Sequence, residues 1–365
     1  MPIVRFNPFT RRIVGYSNHS RVDYEPALCF RIWRKTLTAL HVNQPVTIDR
    51  FRSASPDDAN PNDGKPCRVL IFTSPKAGSG ASREQVSRLL RLLEESAIDC
   101  VVVHSPDELK NQLASREQTR EVVVVAAGGD GTMSLAATSS TESLPSNAGS
   151  ECDVPIVPMP LGTENLLARQ FGHTATAESV VQTIRYGTSY RLDAGIANDK
   201  TFLIMATCGF DAEVVRGMHL TRKGHIRRIS YLGPIVRAMR NYVFPKVLIR
   251  IDENETIECC WAMVFNLPRY AAGLGIEPSA VGDDGQMDVI AFRRGSILVG
   301  LRYLAGIWLG RHLKFPDVIR RRGKVIEISS ESRVPYQLDG DYAGRLPLKI
   351  ATLPGRVHLL VPPAE

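Results

Sequence analysis

The stretch VVVVAAGGDGTMSLAA, residues 122–137, decides the fold. Four valines and two alanines in a row make a strand with no polar face, so both of its faces must be covered. That is the pattern of a parallel strand inside an α/β layer structure. The turn that follows, Gly128-Gly129-Asp130-Gly131-Thr132, leads into a helix. It therefore falls at the carboxyl edge of the sheet, where open α/β folds bind ligands. Its glycines let the backbone approach a ligand closely and turn amide N–H groups toward phosphate oxygens, and the helix N-terminus adds the positive end of its dipole. A carboxylate there repels phosphate unless a cation lies between them. Asp130 is accordingly read as holding magnesium through water; the plainer alternative is a turn aspartate capping the next helix. The segment is not a Walker A loop, since no GK[ST] follows. GSGASR (78–83) carries only two of the three dinucleotide glycines. A calcium-binding glycine repeat is excluded by its single copy behind four valines.

Outward from this stretch the chain alternates. Strands are expected at 68–73, 100–104, 121–127 and 155–160. Helices are expected from a Ser82/Gln85 capping box, over 105–115, after Gly131, and over 163–171, where Gly172 stops the last. Beyond about residue 190 hairpin-spaced strands take over: YRLDAGIA and TFLIMATCGF around NDK, KVLIRID and TIECCWAMVFN around ENE, then QMDVIAF, KVIEISS, PYQLDGD, LPLKIAT and RVHLLVP. Helical segments at 225–241 and 296–313 interrupt them. The expected fold class is an N-terminal parallel-sheet α/β nucleotide-binding domain followed by a C-terminal antiparallel β-sandwich. Residues 1–66 read as an extension ending in the Pro/Asp/Asn-rich linker SASPDDANPNDGKP, with a short basic helix at 31–42.

The 365 residues carry a net charge of +7, with 44% hydrophobic and 23% charged residues, as suits a globular protein with an anionic partner. Seven cysteines with no CxxC pair read as buried thiols in a reducing compartment. No apolar run approaches the ~18 residues that span a bilayer, and the N-terminus lacks a signal-peptide core. A cytoplasmic protein is expected, with peripheral membrane contact left open. The eight histidines show no metal-ligand spacing, and no nucleic-acid module accompanies the positive charge.

Three further segments join GGDGT: SPKAGSG after the first strand, PLGTENLLAR (160–169) after a later one, and YQLDGD (336–341). Together they resemble the diacylglycerol kinase catalytic family, which includes sphingosine, ceramide and bacterial lipid kinases, over roughly residues 67–363. GGDGT alone is shared with NAD kinases and phosphofructokinases; its combination with PxGTxN and a late DG[ED] pair is specific to the lipid-kinase branch. The resemblance implies a fold like that of NAD kinase, with ATP in the cleft between a domain over 67–190 and a β-rich acceptor domain over 191–345. Residues 346–365 would return as a strand to the first domain. It implies phosphate contacts from Ser74, Gly78, Gly129 and Thr163, within a binding set that adds Gly128, Gly131, Thr132, Gly162, Asn165 and Arg169. It makes Asp130 the organiser of magnesium, Asp339 the base, Asp341 its acidic partner, Asp284 of PSAVGDDGQMDV a ligand of a structural magnesium, and Asp211 of CGFDAEV a substrate contact. Ser74 departs from a common asparagine, Leu166 from the aspartate of many diacylglycerol kinases, and Asp341 from the commoner glutamate.

The expected chemistry is transfer of the ATP γ-phosphoryl to a lipid hydroxyl, diacylglycerol-like or sphingoid, at a membrane surface. A carboxylate takes the hydroxyl proton, and alignment with charge neutralisation does the rest. Two alternatives stay open: a superfamily kinase with a soluble acceptor such as NAD, and a non-catalytic nucleotide or lipid sensor. Segments 225–241 and 296–313 combine arginines with large apolar residues, which fits either packing on the β-domain or an interfacial helix. Homodimerisation is left open, and nucleic acid is not an expected partner.

Overall fold

The computed structural model describes residues 67–73, 80–115, 121–142, 154–221, 242–270 and 273–363. The expected phosphate contacts Ser74 and Gly78, the helix over 225–241 and the extension over 1–66 lie outside them.

Strands β1 (Cys67–Phe72), β2 (Asp99–Val103), β3 (Glu121–Gly128) and β4 (Ile156–Pro160) are parallel, in the order β2-β1-β3-β4. Alternate residues supply two cores, as strand geometry requires. Leu70 and Val124 face one side. Val69, Ile71, Val123 and Val125 face the other, against Leu89 and Leu93 of helix α1 (Gly80–Glu95) and Val180 and Ile184 of helix α5 (Ala177–Tyr186). Helices α2 (Pro106–Ala114) and α3 (Asp130–Glu142) cover the first side. The capping box is not formed as expected: Ser82 lies within α1, and Gln85 accepts the Ala177 N–H at the start of α5.

The remaining strands make a sandwich. The first sheet continues through β18 (Leu348–Val361), β15 (Val325–Ser329), β8 (Val247–Ile251) and β9 (Glu255–Cys259), with β5 (Thr188–Ala197) and β6 (Lys200–Phe202) branching from β18. A six-stranded antiparallel sheet lies opposite, in the order β14 (Val318–Gly323), β13 (Met287–Phe292), β10 (Trp261–Phe265), β7 (Met205–Cys208), β16 (Pro335–Leu338) and β17 (Asp341–Arg345), and β11 (Arg269–Tyr270) pairs separately with β12 (Leu274–Gly275). Their inner faces meet in a core that includes Phe202, Ile249, Ile257 and Ile350 from the first sheet and Val264, Val289 and Tyr336 from the second.

Several elements differ from the sequence expectation. LPLKIAT and RVHLLVP are one strand, β18, irregular between Leu353 and Val357, where Gly355 has φ 57°. Its first half pairs with β15; its second half reaches β4 in parallel at Leu359 and Ile156. TFLIMATC is two strands, broken at Leu203–Ile204 because those amides turn away to a carboxylate described below. The helix expected over 163–171 is only α4 (Leu166–Gln170), because Asn165 is left-handed at φ 51°. Helix α5 and helix α6 (Phe210–Thr221) fall in segments not read as helical. The segment 296–313 forms α7 (Ile297–Trp308) and a short 3-10 turn over His312–Lys314.

Candidate active site

Two glycine loops meet at the carboxyl edge of the parallel strands. The Leu161 N–H donates to the Gly128 carbonyl at 2.9 Å, holding the loop after β4 against the loop after β3. They approach so closely that a Cβ on Gly162 would lie 2.5 Å from the Gly129 Cα and 2.7 Å from Asn165 Oδ1. A Cβ on Gly128 would strike the Thr132 hydroxyl at 2.1 Å, so Thr132 folds back on the strand end. Only glycine fits at either place. Asn165 shapes the second loop: its Oδ1 accepts the Gly162 N–H at 3.0 Å and its Nδ2 donates to the Gly162 carbonyl at 2.9 Å. Gly131, Gly162 and Thr163 are exposed at this edge.

Asp130 ties the loops together. Its Oδ2 accepts the Leu166 N–H at 3.0 Å and its Oδ1 the Leu167 N–H at 3.1 Å, so the aspartate at the start of α3 caps α4, the helix across the loop. Burial raises its pKa against the pull of those two amides; Glu164 adds to the rise and the Arg169 charge opposes it. The capping alternative was right about the hydrogen bonds and wrong about which helix. Each oxygen keeps one lone pair for another donor or for a metal-bound water.

The second sheet brings the other acids. Between β16 and β17 the chain turns at Asp339 (φ 48°) and Gly340 (φ 90°). Asp339 Oδ1 accepts the N–H groups of Ile204 and Met205, each at 2.9 Å, and Oδ2 accepts that of Leu203 at 2.8 Å. This is the carboxylate that breaks the strand between β6 and β7. Three of its four lone pairs are filled, and the free one is on Oδ2. Burial pushes its pKa up to about 6 in spite of the three amides, and the nearby charge of Asp130 adds to the rise. Asp341 is exposed, with its Oδ2 3.8 Å from where a Gly131 Cβ would sit, beside the N-terminus of α3. Residues some 200 positions apart in the sequence thus converge: Asp130, Asp339 and Asp341 share one edge with both glycine loops.

Two of the expected site residues already have partners within the fold. Asp211 is buried, its carboxylate accepting from Trp261 Nε1 (2.7 Å), the Tyr270 hydroxyl (3.1 Å), the Thr207 hydroxyl and the Ala212 amide, and burial raises its pKa. Its lone pairs are filled, so it organises the second sheet and has none left for an acceptor. Asp284 accepts the Arg322 guanidinium on Oδ2 and the Gln286 N–H on Oδ1. Each Asp284 oxygen thus has one partner, and the carboxylates of Asp193, Asp283 and Asp288 lie near enough for the Asp284 charge to raise their pKa values.

Sequence reasoning missed the residues that connect these parts. Gln337 is fully buried; its Nε2 donates to the Thr207 hydroxyl at 2.8 Å and its Oε1 accepts the Gly340 N–H at 2.7 Å. Asp211, Thr207 and Gln337 therefore form one relay ending on the Asp339–Gly340 turn. Asn266 Nδ2 bridges the carbonyls of Asp193 and Leu203, both at 2.7 Å, and steadies the segment whose amides hold Asp339. Asp193 in turn accepts the N–H groups of Gly285 and Gly355. Half-buried Arg269 donates to Gln170 Oε1 at 3.1 Å, and burial, with the Arg169 charge, lowers its pKa. No spacing in the sequence marks these positions, because each acts through a partner from a distant strand.

The family model for the diacylglycerol kinase catalytic domain matches residues 68–197, and that for the YegS C-terminal NAD kinase beta sandwich-like domain matches 205–361. A diacylglycerol kinase of Mycobacterium tuberculosis (strain H37Rv) is 28% identical over 305 residues, covering 81% of this chain and 95% of the relative. One of Staphylococcus carnosus is 23% identical over 304 residues, covering 81% and 95%. The crystal structure of a diacylglycerol kinase from Bacillus anthracis superposes with a TM-score of 0.60 at 22% identity, over 82% of this chain and 98% of that one, and shows the same fold.

Proposed function

We propose that this chain, which matches the diacylglycerol kinase catalytic-domain model over residues 68–197 and the YegS C-terminal model over 205–361, transfers the γ-phosphoryl group of ATP to the hydroxyl of a lipid, diacylglycerol-like or sphingoid. The observation that carries this reading is the convergence of Asp130, Asp339 and Asp341 on the edge where two glycine loops touch. The loops offer amides and a helix N-terminus to the phosphates of ATP; Asp130 lies within the first loop, and Asp339 and Asp341 face it from the second sheet.

The acceptor hydroxyl is a poor nucleophile at neutral pH. Asp339 takes its proton on the free lone pair of Oδ2 as the oxygen bonds to the γ-phosphorus and the bond to the β-phosphate oxygen breaks, leaving ADP. The amides of Leu203, Ile204 and Met205 hold that carboxylate still. The residues fit a hard cation: Asp130 keeps one lone pair on each oxygen, and no described ion pair engages Asp341. Among the described residues no three His, Cys, Asp or Glu side chains approach closely enough to ligate an ion by themselves. Asp130 and Asp341 would hold magnesium through water and through ATP, where it would neutralise charge on the phosphates.

Transfer of label from γ-labelled ATP, with magnesium, to micellar diacylglycerol, monoacylglycerol, sphingosine, ceramide and phosphatidylglycerol tests this, with NAD as the soluble control. Label in a lipid, abolished in Asp339→Asn and Asp130→Asn, is the expected result. Label in NAD alone would move the chain to a soluble acceptor, and ATP binding without transfer to any acceptor would make it a sensor.

A further inference from the structure

Helix α7 is built inside out for a helix on a water-soluble surface, which ordinarily turns its large apolar residues to the core. Its inner face carries Gly300, Tyr303, Gly306 and Ile307. A Cβ on Gly306 would lie 2.5 Å from the Phe315 ring, and one on Gly300 3.4 Å from Phe244, so the helix lies close against its neighbours through small residues. Its outer face carries the large ones: Leu298 is 70% exposed, Leu301 40%, Trp308 47% and Leu309 55%. Positions 298, 301, 305 and 308 form one stripe at helical spacing, with Ile297 beside its start. Val243, 88% exposed, flanks the helix on the strap whose Phe244 packs against it.

The charges around this stripe are of one sign. Residues 293–317 hold Arg293, Arg294, Arg302, Arg311 and Lys314 against a single acid, Asp317. Asp317 is buried and pairs with Arg302 and, at 3.9 Å, with Arg294; the Arg302 guanidinium also lies 4.6 Å over the Phe315 ring. The other cations bracket the two ends of the stripe, and all of them are exposed. No helix among the described residues is long and apolar enough to cross a membrane. Packed rings join the helix to the buried network of the second sheet: Tyr303 meets Phe292 tilted at 4.8 Å, and Phe292 stacks at 4.5 Å on Trp261, whose Nε1 donates to Asp211.

We propose that the outer face of Ile297–Leu309, with Arg293, Arg294, Arg311 and Lys314, is the surface by which this protein lies on an anionic bilayer. Leu298, Leu301 and Trp308 enter the acyl boundary and the cations meet lipid phosphates. Exposure and charge alone define this surface, so a failure of the membrane contact would leave the phosphoryl-transfer reading standing.

The test is co-sedimentation of the full chain with vesicles of phosphatidylcholine alone and of phosphatidylcholine mixed with phosphatidylglycerol. The expected result is strong binding to the mixed vesicles and weak binding to the neutral ones. Leu298→Gln/Leu301→Gln/Trp308→Gln should reduce it about tenfold or more with Tm unchanged, since all three side chains are exposed. Arg293→Gln/Arg311→Gln should lower affinity for the mixed vesicles about fivefold per charge. Vesicles should also shift the Trp308 emission to the blue, read as the difference from Trp308→Phe. Equal vesicle binding by the triple variant and the wild type would overturn the proposal by placing the contact elsewhere. So would no binding to either vesicle, or a dimer in light scattering that the triple variant makes monomeric, which would assign the stripe to a second copy of the chain.

Discussion

The contact between Gly162 and Gly129 can be tested with a single methyl group. An alanine Cβ at 162 would sit 2.5 Å from the Gly129 Cα and 3.1 Å from its nitrogen. Ordinary carbon–carbon contact begins near 3.5 Å, so the two loops must part by about 1 Å. In the proposed reaction both loops offer their amides to one nucleotide, and a displacement of that size at a reacting group costs about 10²-fold, or about 3 kcal/mol of transition-state stabilisation. Gly162→Ala should therefore lower kcat/KM about a hundredfold and weaken ATP binding, while stability falls by about 1–3 kcal/mol at most, the usual cost of overpacking. Gly172→Ala is the control. Gly172 has φ 75° with open space where a Cβ would go, so its alanine variant should lose about 1 kcal/mol of stability from backbone strain alone and keep full activity. Initial rates, calorimetric ATP titration and thermal melts on the three proteins separate the effects. Gly162→Ala with wild-type kcat/KM and ATP affinity would refute the claim that the two loops act as one cradle.

Other predictions follow from the same geometry. Asp339 must be ionised to accept a proton, and burial holds its pKa at about 6, so kcat/KM should rise with pH through a midpoint near 6. A flat profile across that range would rule it out as the base. His173 is buried, and desolvation lowers its pKa from 6.5 to about 3. The unfolded chain therefore takes up a proton before the folded one, and the stability present above pH 6.5 is lost as pH falls toward 3, by up to about 5 kcal/mol. Denaturant titrations should show that slope, and His173→Gln should flatten it. Gln337→Ala removes the donor to the buried Thr207 oxygen and the acceptor of the Gly340 N–H, costing about 1–3 kcal/mol. It should lower kcat more than ATP affinity, because the relay ends on the Asp339 turn rather than on the nucleotide loops. Equal losses in both would show that the two halves of the site are not separable.

Much of this protein was legible before any coordinates. Val122–Val125 could only be a strand covered on both faces, and the glycines after it could only be a turn at the carboxyl edge of the sheet. The period-two and hairpin patterns after residue 190 announced the antiparallel half. These signals are local: propensity, periodicity and backbone freedom are properties of a few adjacent residues. Where a side chain's oxygens end up is not local. Asp130 reads as a metal ligand or a cap of its own helix; the helix it caps is α4, because β3 and β4 are neighbours in the sheet. Asp211 and Asp284 looked available, and tertiary partners saturate the first and pair the second with Arg322. Gln337 carried no signal at all, although it joins the buried Asp211 network to the turn bearing Asp339. The helical spacing of 296–313 was visible, but which face lay inward depended on Gly300 and Gly306 meeting Phe244 and Phe315. The sequence by itself determined the elements and the residue types that reach the sheet edge. Only the tertiary structure decided which lone pairs, charges and apolar faces were left free, because those depend on what the rest of the chain brings to each one.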